Sequence, residues 1–176
     1  MIRINVNELK HYAEQLNAGD EVLLSGVIYT ARDAAHKKIM ALIDDGKSLP
    51  FNIDSAVIYY AGPTPAKDSL AVGSCGPTTS SRMDVYAPRL YDLGLSATIG
   101  KGGRNDDVVR SIIRNKALYF CALGGAGALA SKCIKKCDVI AFEELGCESV
   151  KRFEIIDFPL YVGIDTNGNS IFAEVK

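Results

Sequence analysis

Along the chain, apolar positions switch repeatedly between a helical period and the dense runs of buried strands. Between residues 7 and 16, Leu9, Tyr12, Ala13 and Leu16 keep helical spacing until Ala18-Gly19-Asp20 stops them. Residues 21–29, EVLLSGVIY, carry enough β-branched and apolar side chains for a buried strand. Thr30 then stands where a helix N-cap would, with Asp33 completing a weak capping box. Ala34, Ala35, Ile39, Leu42 and Ile43 give that helix an apolar face, and Asp44-Asp45-Gly46 ends it. Strands are predicted over 55–61 and 70–75, and a helix over 81–92 through Met83, Tyr86, Ala87 and Leu90. A strand follows at 95–99, then a helix capped by Asn105 and buried through Val108, Val109, Ile112 and Ile113, then a strand at 117–123. Gly124-Gly125-Ala126-Gly127 reads as a turn before a short helix over 128–134 and a strand at 138–142. Strands over 153–156 and 160–175 complete the chain, with Thr166-Asn167-Gly168-Asn169 as a hairpin turn.

Three successive strand–glycine turn–helix units predict parallel strands with helices packed against them. The strands at either end predict a second, more antiparallel layer. The fold class is α/β, one domain over residues 1–176 with a mainly parallel central sheet. In such sheets ligands bind at the carboxyl ends of the strands, where the turns collect.

Composition narrows the function classes. Twenty Lys+Arg against 21 Asp+Glu leave a formal net charge of −1 and no basic run, which argues against nucleic-acid and membrane-surface partners. No apolar stretch approaches the roughly 20 residues of a membrane span. The opening MIRINVNELK lacks the apolar centre of a signal peptide, so a cytoplasmic location is expected. Five cysteines cannot all pair within the chain, and reduced thiols fit that compartment. Cys133 and Cys137 would share a helix face only if the helix continued so far. With neither C-x-x-C nor a His pair, small buried thiols are the better reading than metal ligands.

Candidate chemistry gathers in three turns. In Gly76-Pro77-Thr78-Thr79-Ser80-Ser81-Arg82 a strand delivers the chain to hydroxyls and free N–H groups at a helix start, and Arg82 adds a fork for a carboxylate. The plainer alternative is a capped helix with a solvated arginine. Ile99-Gly100-Lys101-Gly102-Gly103 sets one cation among glycines without Walker A spacing; its lysine is equally readable as incidental. Arg32 opens a helix at the positive end of its dipole, a hint of a partner anion. His36, nearby, is readable as a proton carrier or as a hydrogen-bonding structural residue. Arg32, Arg82 and Lys101, with Thr78 and Thr79, suit a small anion bearing two carboxylates.

At these residues the sequence resembles the β subunit, equivalently the C-terminal domain, of class I fumarases and the related L(+)-tartrate dehydratases. The matching strings are Arg32-Asp33-Ala34-Ala35-His36-Lys37, Gly76-Pro77-Thr78-Thr79-Ser80-Ser81-Arg82-Met83-Asp84 and Ile99-Gly100-Lys101-Gly102-Gly103. Gly124-Gly125-Ala126-Gly127-Ala128, Glu143-Glu144-Leu145-Gly146 and Ile164-Asp165-Thr166-Asn167-Gly168-Asn169 follow in the family's order. The resemblance implies a swivelling three-layer β/β/α domain that pairs with a separate α subunit. That partner would ligate a [4Fe–4S] cluster acting as a Lewis acid, with no metal ligand from this chain. It implies Arg32, Arg82 and Lys101 as carboxylate holders, Thr79 beside them, Thr78 and Lys101 as catalytic, and His36 in support. Fumarate hydration is the implied reaction, which Asp84 and the compact length favour over tartrate dehydration.

Two other classes compete. Gly125-Ala126-Gly127-Ala128-Leu129-Ala130 fits G-x-G-x-x-A between a strand and a helix, with Glu143 or Glu144 after the next strand, as in a nucleotide-binding unit. A non-catalytic scaffold domain would share the fold and need no cationic cluster.

Overall fold

Seven strands form one sheet in the order β1-β2-β3-β4-β5-β7-β6 in the computed structural model, which describes residues 1–66, 69–122 and 127–172. The strands are β1 Ile2–Asn5, β2 Glu21–Thr30, β3 Val57–Tyr59, β4 Ala97–Gly100, β5 Leu118–Cys121, β6 Ile134–Ala141 and β7 Val150–Ile164. The helices are α1 Leu9–Tyr12, α2 Asp33–Asp44, α3 Ala87–Asp92, α4 Asp106–Asn115 and α5 Gly127–Cys133. β1 through β5 pair in parallel, as the repeating units predict. β3, β4 and β5 are buried along their whole length because both faces are covered. Val57, Tyr59, Ala97, Ile99, Leu118 and Phe120 face one core with α1, β1 and β7. Ile58, Tyr60 and Tyr119 face another, filled by Ala35 and Ile39 of α2, Ala87 and Leu90 of α3, and Val108 and Ile112 of α4.

The sheet does not stay open. β7 is one 15-residue strand where two strands were expected, and it runs antiparallel to β2, β5 and β6. Its pairing with β2 closes the β2-β3-β4-β5-β7 ring, so the expected second layer is continuous with the first and the sheet becomes a partial barrel. The bend comes at Asp157, whose φ of 49° lies at the register shift opposite Leu24 and Gly26. The Asp157 amide donates to Ser25 Oγ at 2.9 Å and fixes the bulge. Gly26 takes φ 121° there, and a side chain at that position would press on Asn5 and Val6 of the adjoining β1 segment.

Other expectations are corrected. Residues 81–92 are not one helix: Ser80–Met83 is a single 3-10 turn, and α3 begins at Ala87. Pro88 lacks the amide that would continue a helix back to Asp84. Residues 70–75 form no strand; the Gly73 amide donates to the Thr64 carbonyl and the Thr64 amide to the Ser74 carbonyl, two bonds across a loop. Thr30 ends β2 and is not a cap, because its hydroxyl accepts from the Lys151 amide at 3.1 Å. Arg32 is the N-cap residue of α2, without a side-chain bond. Asn105 does cap α4, accepting from the Val108 amide at 3.0 Å. Cys133 and Cys137 share no helix, since α5 stops at Cys133 and Cys137 lies in β6. The turn predicted at 124–127 lies outside the described residues except for Gly127, which opens α5. Among the described residues, no helix is long and apolar enough to cross a membrane.

Candidate functional site

Because β2, β3 and β4 run parallel, their carboxyl ends deliver Arg32, Gly62 and Lys101 to one rim of the sheet. The Thr78–Arg82 loop is stitched onto that rim by backbone bonds. The Thr78 amide donates to the Tyr60 carbonyl at 2.6 Å, the Ser80 amide donates to the Lys101 carbonyl at 2.9 Å, and Thr79 pairs with Lys101 as a one-residue parallel bridge. Arg82 reaches the start of α2, where its Nε and Nη2 donate to the two oxygens of Asp33 at 3.1 and 2.7 Å. Arg32, Thr78, Thr79, Arg82 and Lys101, drawn from three stretches of sequence, are thus tied to one another through short links.

The two arginines rest against carboxylates of their own chain. Arg32 Nε lies 3.7 Å from Glu148 Oε1, an ion pair without a hydrogen bond for either buried atom. Lys101 is exposed and makes no ion pair among the described residues. A polar rim with one free ammonium and two arginines that keep unused donors can receive an anion.

A buried ion pair that the sequence did not disclose lies beneath this rim. Arg104 has a fully buried side chain, and its Nε donates to Asp84 Oδ1 at 2.6 Å. Its remaining donors reach Thr98 Oγ1 at 3.1 Å and Tyr60 Oη at 3.3 Å. Burial opposes the Arg104 charge, yet Tyr60, Tyr91 and Asp84 outweigh that cost and hold its pKa above the ordinary arginine value. Asp84 Oδ2 accepts from the Asn105 amide at 2.8 Å. The pair therefore locks the loop carrying Thr78, Thr79 and Arg82 to the loop carrying Lys101. Tyr119 adds a second lock: its hydroxyl donates to the Gly102 carbonyl at 2.7 Å and pairs with Ser80 Oγ at 2.9 Å. Gly100 is required at this junction, since a Cβ there would collide with Ser80 Oγ.

His36 is fully buried in α2, stacked on Tyr86 with ring centroids 5.4 Å apart. Its Nδ1 lies 2.8 Å from the Arg32 carbonyl, which can only accept, so Nδ1 carries the proton and Nε2 is left without a partner. Burial lowers its pKa from 6.5 to about 4, against the opposing pull of the Arg32 carbonyl. The ring is therefore neutral at pH 7 and supports the Arg32 turn. Since the folded pKa lies below the unfolded one, the unfolded chain takes up this proton first. The His36 contribution to stability is expected to be complete above pH 6.5 and to fall by about 3 kcal/mol as pH drops towards 4. Urea unfolding across this range checks it. His36→Asn, which retains a donor near the Nδ1 position, is expected to lose that part of the acid slope; an equal slope in both proteins would refute the assignment.

The thiols do not make a cluster cradle. Cys75 is fully buried with its pKa pushed up to about 12 by burial, and burial also raises those of Cys121, Cys133 and Cys137. Cys133 and Cys137 are half-buried and Cys147 is exposed, so the expectation of small buried thiols holds only for Cys75 and Cys121. Among the described residues, no three His, Cys, Asp or Glu side chains are grouped to hold a metal ion. Gly125 and Ala126 of the glycine string proposed for a nucleotide lie outside the described residues, and Gly127–Ala130 form the start of α5. β6 pairs antiparallel with β7 and does not lie beside β5, so β5, α5 and β6 do not make the parallel unit that string needs.

Comparison with known proteins gives this geometry a context. The family model described as "Fumarase C-terminus" matches residues 1–175. The anaerobic class I fumarate hydratase of Escherichia coli is 36% identical over 180 residues, covering 99% of this chain and 33% of that protein. Fumarate hydratase 2 of Leishmania major is 36% identical over 171 residues, covering 96% of this chain and 30% of that protein. A provisionally named L(+)-tartrate dehydratase subunit beta of Methanocaldococcus jannaschii is 41% identical over 173 residues, covering 95% of this chain and 89% of that protein. The chain thus spans about a third of the fumarate hydratases it matches and most of the tartrate dehydratase subunit. With the match running over nearly every residue, the chain belongs to the fumarase C-terminus family.

Proposed function

We propose that this chain is the β-type part of a class I hydro-lyase that hydrates fumarate reversibly to (S)-malate, and that it works with an α-type partner. The observation that carries this reading is the linkage of Arg32, Arg82 and Lys101 on one rim through Asp33 and the Thr79 bridge. Dehydrating malate removes a proton next to a carboxylate, and the negative charge that develops spreads into that carboxylate. Cations fixed beforehand stabilise such charge most where water is excluded. Arg32, Arg82 and Lys101 would hold the two carboxylates, with Thr79 beside them and Thr78 at the position where the proton moves. A Thr hydroxyl is a poor base unaided, so an acidic residue of the partner is assigned as its activator. His36 keeps the Arg32 turn in place.

Among the described residues no group of side chains fits a [4Fe–4S] cluster, and we assign that cofactor to the α-type partner. The domain would act as the swivelling β/β/α part that closes over the substrate, in the cytoplasm, with no nucleic acid or membrane involved. Tartrate dehydration is the second reading, favoured by the 41% identical relative of similar length. Co-expression with an α-type partner, followed by anaerobic assay with fumarate, (S)-malate and L(+)-tartrate, separates the two. Fumarate and malate turnover is expected; tartrate turnover without malate turnover would move the assignment.

A further inference from the structure

Of the arginines on the rim, Arg82 is the one whose guanidinium donates two hydrogen bonds to a single carboxylate. A guanidinium carries five donors in a planar fork. Asp33 occupies the side-on edge made by Nε and Nη2, which leaves the end-on edge of Nη1 and Nη2 for a second carboxylate. Asp33 is the first residue of α2, and the start of that helix is held twice at the Arg32 carbonyl. The His36 amide donates to it at 2.9 Å and His36 Nδ1 lies 2.8 Å away. One pinned helix start therefore sets two arginines, Arg32 as its neighbour in sequence and Arg82 through Asp33.

We propose that Asp33 is a positioning residue that fixes the plane of the Arg82 guanidinium and aims its free edge at a substrate carboxylate. This rests on the reading of Arg82 as a carboxylate holder. The Arg82 and Asp33 side chains are 51% and 29% exposed, a setting in which an ion pair adds little to stability. An arginine side chain has many rotamers, and fixing one in advance removes an ordering cost from substrate binding. The pair also joins residues 49 apart in sequence, so it is not a local helix contact.

The test is a double-mutant cycle in the reconstituted αβ pair, with Asp33→Asn, Arg82→Met and the double variant. Asp33→Asn is expected to raise KM for (S)-malate by roughly tenfold with an unchanged thermal midpoint, and to add nothing in the Arg82→Met background. A wild-type KM in Asp33→Asn, or the same rise in the Arg82→Met background, would overturn the proposal. The chain alone gives an independent signal in ¹⁵N spectra. A slowly exchanging Arg82 Nε–H is expected in the wild type and should be lost in Asp33→Asn, and its persistence there would also overturn the proposal. An inactive wild-type pair defeats the reading of the site and this inference with it. An active pair indifferent to Asp33→Asn defeats the inference alone.

Discussion

Replacing Arg82 by Met in the reconstituted pair is expected to lower kcat/KM for malate dehydration by about 10²–10³-fold, the scale of losing one preorganised donor to a developing anion. Met keeps the length and the apolar stem of the side chain but has no donors. Arg82 is half-exposed, so the thermal midpoint of the chain should hardly move. The effect is thereby separable from misfolding. Steady-state kinetics on fumarate and malate checks it, with the unfolding midpoint as the control. Unchanged turnover would favour a scaffold domain, which shares the fold but has no use for the cation.

The largest effect on stability is expected at Arg104. Arg104→Met strands the Asp84 carboxylate, which is 6% exposed, and breaking one partner out of a buried ion pair costs about 3–5 kcal/mol. It also removes the donors to Thr98 and Tyr60. The double replacement Arg104→Met with Asp84→Asn leaves no unpaired charge and should recover part of that loss. Urea unfolding of the chain alone measures both. A single-variant loss below about 1 kcal/mol, the range of an exposed pair, would show that the pair does not lock the two loops. In the reconstituted enzyme the same substitution should depress turnover, because the Thr79 and Lys101 segments lose their common anchor.

These two arginines also show what the sequence made legible. Arg82 stands in a motif whose glycines, hydroxyls and cation mark a candidate anion site by type and order. Arg104 follows the glycines of the next motif and looks like any surface charge; its partner Asp84 lies 20 residues earlier, and no local spacing joins them. Asp33 reads as half of a capping box with Thr30 and as part of the Arg32–Lys37 string, with no sign that it holds Arg82, 49 residues away. Strands β3, β4 and β5 were legible because burial on both faces leaves dense apolar runs, and α4 because Asn105 precedes an amphipathic stretch. Ring closure was not legible. It depends on β2 and β7 pairing across most of the chain and on a bulge at Asp157, a residue type that gives no strong turn signal alone. Pro88 was a local signal that the 81–92 helix should have yielded to, since its missing amide splits that stretch.

In the proposed function, side chains from three separate segments of this chain converge on one dicarboxylate beside a reactive centre supplied by a partner. An anaerobic crystal structure of the reconstituted pair with (S)-malate bound tests it directly. The substrate carboxylates should lie within hydrogen-bonding distance, about 2.7–3.2 Å, of Arg32, Arg82 and Lys101, with Thr78 near the carbon that loses its proton. Malate held by the partner alone, with those three cations turned to solvent, would contradict it.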